Sequence, residues 1–261
     1  NIHLGNNVDL NSNVNPIRLR SDSFTFDAGA TITGSSIALA PYTAGTVIGV
    51  EDNTKVWNVT DAMLDAIVGP VTLGDATSGA LTIANGAAGG NINLTQNKNL
   101  IFISGATVNV IGVGAGPAIT TTAGGAVTIT NTGVLTINAA GDLNLAGAFL
   151  QDGAGLVSTS GDITTTADPI TFTTGVTLTG PVVLSNGGGV NTGDIWFKST
   201  LTGTTASTEN LTFSAGAGSI KLDGQVGATR LGDILINDAL NFTPGSTISA
   251  KTLTQTTGTG T

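Results

Sequence analysis

A phrase of glycine, a small polar residue and an aliphatic residue keeps returning in this chain. It stands at Gly90-Asn91-Ile92, Gly141-Asp142-Leu143, Gly161-Asp162-Ile163, Gly193-Asp194-Ile195 and Gly232-Asp233-Ile234. Each time it opens a short stretch with apolar residues at every second position, and a turn of Gly, Asn, Asp or Ser follows. Side chains alternate across a strand, so this pattern buries one face and wets the other. A unit of that size, repeated along a chain, cannot bury its apolar face alone and must stack on its neighbours.

The expected strands are short: Ile17-Arg18-Leu19-Arg20, Val71-Thr72-Leu73, Val127-Thr128-Ile129, Leu143-Asn144-Leu145, Val176-Thr177-Leu178, Ile220-Lys221-Leu222 and others like them. Their middle residue is mostly Thr, Asn, Lys or Arg and points to water. Three or four residues is below the ~5–6 usual for sandwich strands, and Asn-Gly hairpin turns are scarce. The pattern predicts an all-β fold, a right-handed parallel β-helix. Coils of ~20 residues imply about a dozen rungs and a rod roughly 60 Å long at the spacing of paired strands. Residues 1–261 read as one solenoid segment, with 51–70 an irregular insertion inside it. There, Val59 to Val68 predicts a helix of about two turns, near residues 60–68. Thr60 or Asp61 caps it, Met63, Leu64 and Ile67 share its buried face, and Gly69-Pro70 ends it.

Composition agrees with a narrow core. Hydrophobic residues make up 40% of the chain but aromatic ones only 4%, so small branched side chains must fill the interior. Net charge is −9, and the eight basic residues are dispersed from Arg18 to Lys251. No cluster tracks a phosphate backbone, which argues against nucleic acid, and the acidic balance argues against anionic membranes. No apolar run approaches the ~18 residues of a membrane span. There is no cysteine. Both ends read as cut from something longer: Asn1-Ile2-His3-Leu4 begins in mid-strand, and Thr256 to Thr261 ends without a cap.

Few constellations carry chemistry. His3 is the only histidine, so a serine–histidine triad or a histidine metal site has at most one imidazole to use, and it sits by a terminus. Asp142, Asp162, Asp194 and Asp233 each follow a glycine at a coil-opening turn. Their separations of 20, 32 and 39 residues are unlike the tandem repeats of calcium-binding β-rolls, and one acid per turn suits a structural Asx turn. Glu51-Asp52 and Asp61 with Asp65 are the closest acidic groupings, with Lys55 the basic companion. Thr31/Thr33, Thr128/Thr130, Thr171/Thr173, Thr177/Thr179 and Thr252/Thr254 are outward pairs of a good polar strand former. Phe197 is in phase with Ile195, which turns Trp196 outward and makes it the candidate surface contact. No catalytic, cofactor-binding or metal-ligating residue is expected.

Three stretches carry a resemblance: Ile37 to Gly45; Leu64-Asp65-Ala66-Ile67 with Thr72 to Ile83; and Gly193-Asp194-Ile195 through Leu211 to Gly218, Gly224 to Gly227 and Leu231 to Ile236. They resemble a recurring unit of filamentous-haemagglutinin-like large exoproteins, over most of the chain from about Ile37 onward. The resemblance implies secreted bacterial β-helical fibres used in adhesion. Asn15-Pro16-Ile17 does not match the secretion signature of that family, so this chain is expected to be an internal shaft segment, extracellular or on the cell surface, without catalysis. The expected partners are neighbouring coils or copies of itself stacked head to tail, and host or cell-surface glycans. Two alternatives stay open: a polysaccharide-binding or polysaccharide-cleaving β-helix, and an ice- or surface-binding solenoid.

Overall fold

The computed structural model describes residues 1–85, 90–188, 190 and 192–258; the end of the Thr-Gly tail, 259–261, lies outside them. Among these residues every strand pairing is parallel, and in the regular coils each strand pairs with its counterpart in the coil before and the coil after. The chain is a parallel β-helix with three faces and one short helix.

The first face is a ladder of ten strands, from Ile17–Arg20 through Val127–Asn131 and Ile170–Phe172 to Phe242–Pro244. The second runs from Trp57–Val59 and Ile48–Val50 through Leu135–Ile137 to Leu201–Gly203. The third runs from Ile92–Asn93 through Leu143–Leu145 to Leu211–Ser214. Val226–Asp238 is long enough to cross a corner: its start pairs with the second face at Leu201 and its end with the third at Leu211 to Ser214. The register jumps between Val226 and Leu231 where the strand turns that corner.

Coil length varies more than the repeat phrase implies. Val127 lies opposite Phe149 and Phe149 opposite Ile170, steps of 22 and 21 residues. Ile17 to Ile37 is a step of 20, but Ile37 to Val71 is one of 34. The strands hold register while the turns absorb the difference, because the strands contribute most of the inward side chains.

Those inward side chains form columns. Ile17, Ile37, Val71, Leu100, Val127, Phe149, Ile170, Ile195 and Ile220 stack in line along the first face, all buried. Phe149, Phe172 and Phe197 follow one another with ring centroids 5.4 and 4.9 Å apart, and Phe213 of the third face meets Phe197 at 6.3 Å. Burying each ring contributes about 1.5–3 kcal/mol, and each ring pair adds about 0.5–1.5 kcal/mol.

Several strands escape the alternation reading because their last inward residue is polar: Phe149–Gln151, Val157–Thr159 and Ile163–Thr165. These polar ends sit at corners, where the backbone leaves the ladder and its polar groups need partners. Gln151 is fully buried. Its Nε2 donates to Asn131 Oδ1 at 2.9 Å, and its Oε1 accepts from the backbone N–H groups of Thr173 and Thr174 at 3.1 and 3.3 Å. Thr159 Oγ1 and Thr165 Oγ1 donate to Gly161 O and Asp168 O.

The insertion departs from the expected two-turn helix. Only Asp61–Asp65 is helical, capped by Thr60, whose Oγ1 accepts from Met63 N at 3.2 Å. Met63 and Leu64 are buried as expected, but Ile67 is buried from a strand, Ile67–Val68, opposite Ile32 and Thr33. Ala66 O accepts from Ile32 N at 3.1 Å, so ladder pairing ends the helix before Gly69-Pro70. Ahead of the helix, Ile48–Val50 and Trp57–Val59 pair in parallel on one face, joined by a six-residue return. That return is possible because Gly49 carries no side chain: a Cβ there would lie 2.5 Å from Asp52 O.

Candidate functional site

The coil-opening acids all reach the following coil. Asp142 Oδ1 accepts from Asp162 N at 2.8 Å, Asp162 Oδ1 from Val183 N at 2.7 Å, and Asp194 Oδ1 from Ser219 N at 2.8 Å. Asp233 Oδ1 accepts from Thr252 Oγ1 at 2.8 Å, 19 residues on. These bonds are not the local Asx turns expected from sequence; that form occurs at Asp75, which accepts from Thr77 N at 2.9 Å. The difference follows from stacking. A turn residue in one coil lies over the turn of the next, and an acid there can take a donor that the ladder has left free. Asp142 and Asp162 also line a shallow cleft of about 430 Å³ with Ser160, Thr179, Asn210 and Thr212. Burial pushes the Asp162 carboxyl above its ordinary value and the neighbouring Asp142 charge adds to this, against the Val183 N–H. Among the described residues no three His, Cys, Asp or Glu side chains converge to hold a metal ion.

The acids of the insertion are used in the same way, more densely. On the third face, Ile92 and Leu94 donate their N–H groups forward to Ala118 O and Thr120 O at 2.8 and 3.0 Å. Asn93 and Thr95 donate backward, and what they meet is the helix: Asp61 Oδ1 at 3.0 Å and Asp65 Oδ1 at 3.1 Å. Residues i and i+4 of a helix are about 6 Å apart along its axis, close to the roughly 6.6 Å between i and i+2 of a strand. The two carboxylates therefore stand where two ladder carbonyls would. Thr95 Oγ1 adds a bond to Asp65 Oδ2 at 2.7 Å. Lys98, 2% exposed, donates its Nζ to Leu64 O in the last turn of the helix and to Ile67 O in the strand that follows it. Glu51 takes Asp61 N and, at 2.9 Å, Gly90 N.

In the sequence the nearest cation to Asp61 and Asp65 is Lys55. Lys55 belongs to Asp52, at 3.4 Å. The cation that reaches the helix is Lys98, a whole coil later. Its signal in the sequence is a lysine two residues before Leu100, in phase with the inward side chains of Leu100 and Phe102. Burial lowers the Lys98 pKa and the Asp65 and Asp61 charges pull it back up. Burial raises Asp61, opposed by the Asn93 N–H and reinforced by Asp65 and Glu51.

Trp196 lies on the outside of the first face, half-buried, between Thr171 and Lys221 of the adjacent coils. Its Nε1 donates to Asp223 Oδ2 at 2.8 Å. Lys198 and Lys221 ammonium groups stand 4.4 and 5.3 Å from the ring centroid, and Lys221 pairs with Asp194 at 2.6 Å. The indole is thus oriented by its own neighbours. His3 Nε2 lies 2.9 Å from Asp27 Oδ2 on an exposed turn. The five threonine pairs fall on different faces, and no two of them stack on adjacent coils. A column of small hydroxyls does run outward along the second face, through Thr136, Ser158, Thr177 and Thr202. It stops where Thr229 N donates to Thr202 Oγ1 at 2.8 Å.

These features define a β-solenoid repeat protein whose polar side chains chiefly join one coil to the next. No family model matches the chain, and comparisons with curated proteins and with solved structures returned no match.

Proposed function

We propose that this chain is a shaft segment of a secreted or cell-surface bacterial adhesin or filament, serving reach and assembly without catalysis. The reading draws on the resemblance to filamentous-haemagglutinin-like exoproteins, and one observation carries it. The acids that a polysaccharide-cleaving β-helix would need are committed to the coil stack: Asp142, Asp162, Asp194 and Asp61 each accept a backbone N–H of the next coil. A paired acid and base need a carboxyl group free to exchange a proton with substrate. A segment of this kind meets other coils at its ends, and its sides, with Trp196 the leading contact, are where cell-surface glycans would be met. The alternative of a surface-binding solenoid draws on the hydroxyl column from Thr136 to Thr202.

Electron microscopy of the native parent material tests this reading. Slender fibres are expected. Compact particles, or release of reducing ends from polysaccharides incubated with the protein, would overturn it. Adsorption to ice or mineral that is lost in a Thr177→Leu variant would favour the alternative.

A further inference from the structure

The three ladders are not equally continuous past the insertion. On the first face, Ile17–Arg20, Ile37–Ala40 and Val71–Asp75 pair without a break. On the second, Phe24–Phe26 pairs among the described residues only with Ile2–Leu4, and the next strand up, Trp57–Val59, belongs to the long ladder. On the third, Ile67–Val68 closes the sheet of Asp9–Asn11 and Thr31–Thr33, and the long ladder resumes at Ile92–Asn93 beyond the helix. Two of the three faces are therefore interrupted, at neighbouring levels, while the third passes straight through.

Side chains close both gaps. At the second face Trp57 meets Phe24 edge to face at 5.5 Å and donates its Nε1 to Ser21 O at 2.8 Å. At the third face the bonds are those of Asp61, Asp65 and Lys98, with Gln96 Nε2 donating to Asp65 O at 2.9 Å. We propose that this level is a hinge: the first two coils, together with the helix Asp61–Asp65 and with Ile67–Val68, which is laddered to Thr31–Thr33, open as a unit from the rest of the solenoid, turning about the continuous first-face ladder, with the Trp57 seam and the Asp61–Asp65–Lys98 seam parting together. Backbone ladders open cooperatively over many bonds, whereas a seam of a few side-chain contacts opens at lower free energy. An element with one continuous edge and two breakable ones has the geometry of hinge motion. The consequence is a compliant point in an otherwise stiff rod, where opening uncovers Phe24, Trp57 and two unpaired strand edges. The inference does not depend on what the rod attaches to.

The two tryptophans allow a direct test. Trp196→Phe leaves Trp57, fully inside the second-face seam, as the sole indole. In a urea titration of that variant, Trp57 emission is expected to shift to the red before the far-ultraviolet sheet signal falls. The amides of Asn93 and Thr95 should exchange in the same early window. Adding Asp65→Ala weakens only the third-face seam. The hinge predicts roughly ten- to hundredfold faster exchange at Thr95, the range for losing a charge-assisted hydrogen bond, together with an earlier Trp57 transition at the opposite face. A single transition at all probes in the Trp196→Phe protein would overturn the hinge. So would an Asp65→Ala effect confined to Thr95. If Asp65→Ala fails to fold, the single-variant comparison still decides.

Discussion

The coils from Leu100 to Leu222 and the insertion from Glu51 to Val68 both join one level of the rod to the next, but with different materials. In the regular coils the backbone makes the joint and side chains decorate it: Phe172 packs between Phe149 and Phe197, Gln151 satisfies a corner, and Asp162 takes one spare N–H. In the insertion the backbone turns away into a helix and a return loop. Asp61, Asp65, Lys98 and Trp57 then carry bonds that the ladder carries elsewhere. A solenoid can therefore accept an irregular coil if side chains of the right length replace the missing carbonyl and N–H groups.

The comparison is broken most severely from the regular side. Phe172→Ala removes the ring touching two others and is expected to destabilise by about 3–5 kcal/mol, read from urea denaturation. A loss below about 1 kcal/mol would mean that the ring stack does not organise the core. Gln151→Leu keeps the volume but leaves the Thr173 and Thr174 N–H groups without their acceptor. About 2–3 kcal/mol should be lost, with faster exchange at those two amides. Asp162→Ala removes one half-buried link between coils and should cost about 1 kcal/mol; Asp162→Asn, which keeps an acceptor, should cost less. Trp196→Ala touches only the outside of the first face and should change stability by less than about 1 kcal/mol, within the range of exposed cation–ring contacts.

Acidity sharpens the comparison because the acids divide by sign. Burial raises Asp52, but the Thr54 and Asn85 hydrogen bonds and the Lys55 charge outweigh it, so its net pKa is lowered. Asp75 and Glu209 are lowered in the same manner, their hydrogen bonds from Thr77, Ser78 and Thr204 winning over burial. These three add stability above their ordinary values of 3.8 to 4.5, and it is lost as pH falls through their lower folded values. Asp61 and Asp162 are raised above 3.8, so their ionised forms are the disfavoured ones; falling pH protonates them in the folded state first and relieves the strain. Thermal midpoints should therefore hold or rise slightly on acidification toward pH 4 and drop below it. Replacing Asp61 by Asn should flatten the upper part of that profile.

Much of the fold was legible in the sequence, and the reason is local. Ile-Lys-Leu at 220–222 and Leu-Asn-Leu at 143–145 alternate cleanly because both ends of the strand point into the core. Where an inward position is polar, as at Gln151 and Thr165, alternation fades: Gln151 serves Asn131 and Thr173 in the neighbouring coils, and Thr165 serves the corner carbonyl of Asp168 three residues on. The same limit governs the candidate sites. Asp142, Asp162, Asp194 and Asp233 announce themselves as turn residues through the glycine before each. That their partners are 19 to 25 residues away depends on coil lengths, which no motif states. Lys98 carries no local signal of its partner for the same reason: the helix it completes is a full coil upstream.

The stacking itself can be measured along the outside of the first face. Arg18 lies in a register column that reaches Thr128 after four steps, Thr171 after six and Lys221 after eight. The chain has no native cysteine, so spin labels can be placed in pairs at Arg18 and each of these positions and read by double electron–electron resonance. Parallel coils predict backbone separations of about 19, 29 and 38 Å, a constant ~4.8 Å per coil. Distances that fail to grow with coil number, as in a sandwich of hairpins, would contradict the solenoid and everything built on it.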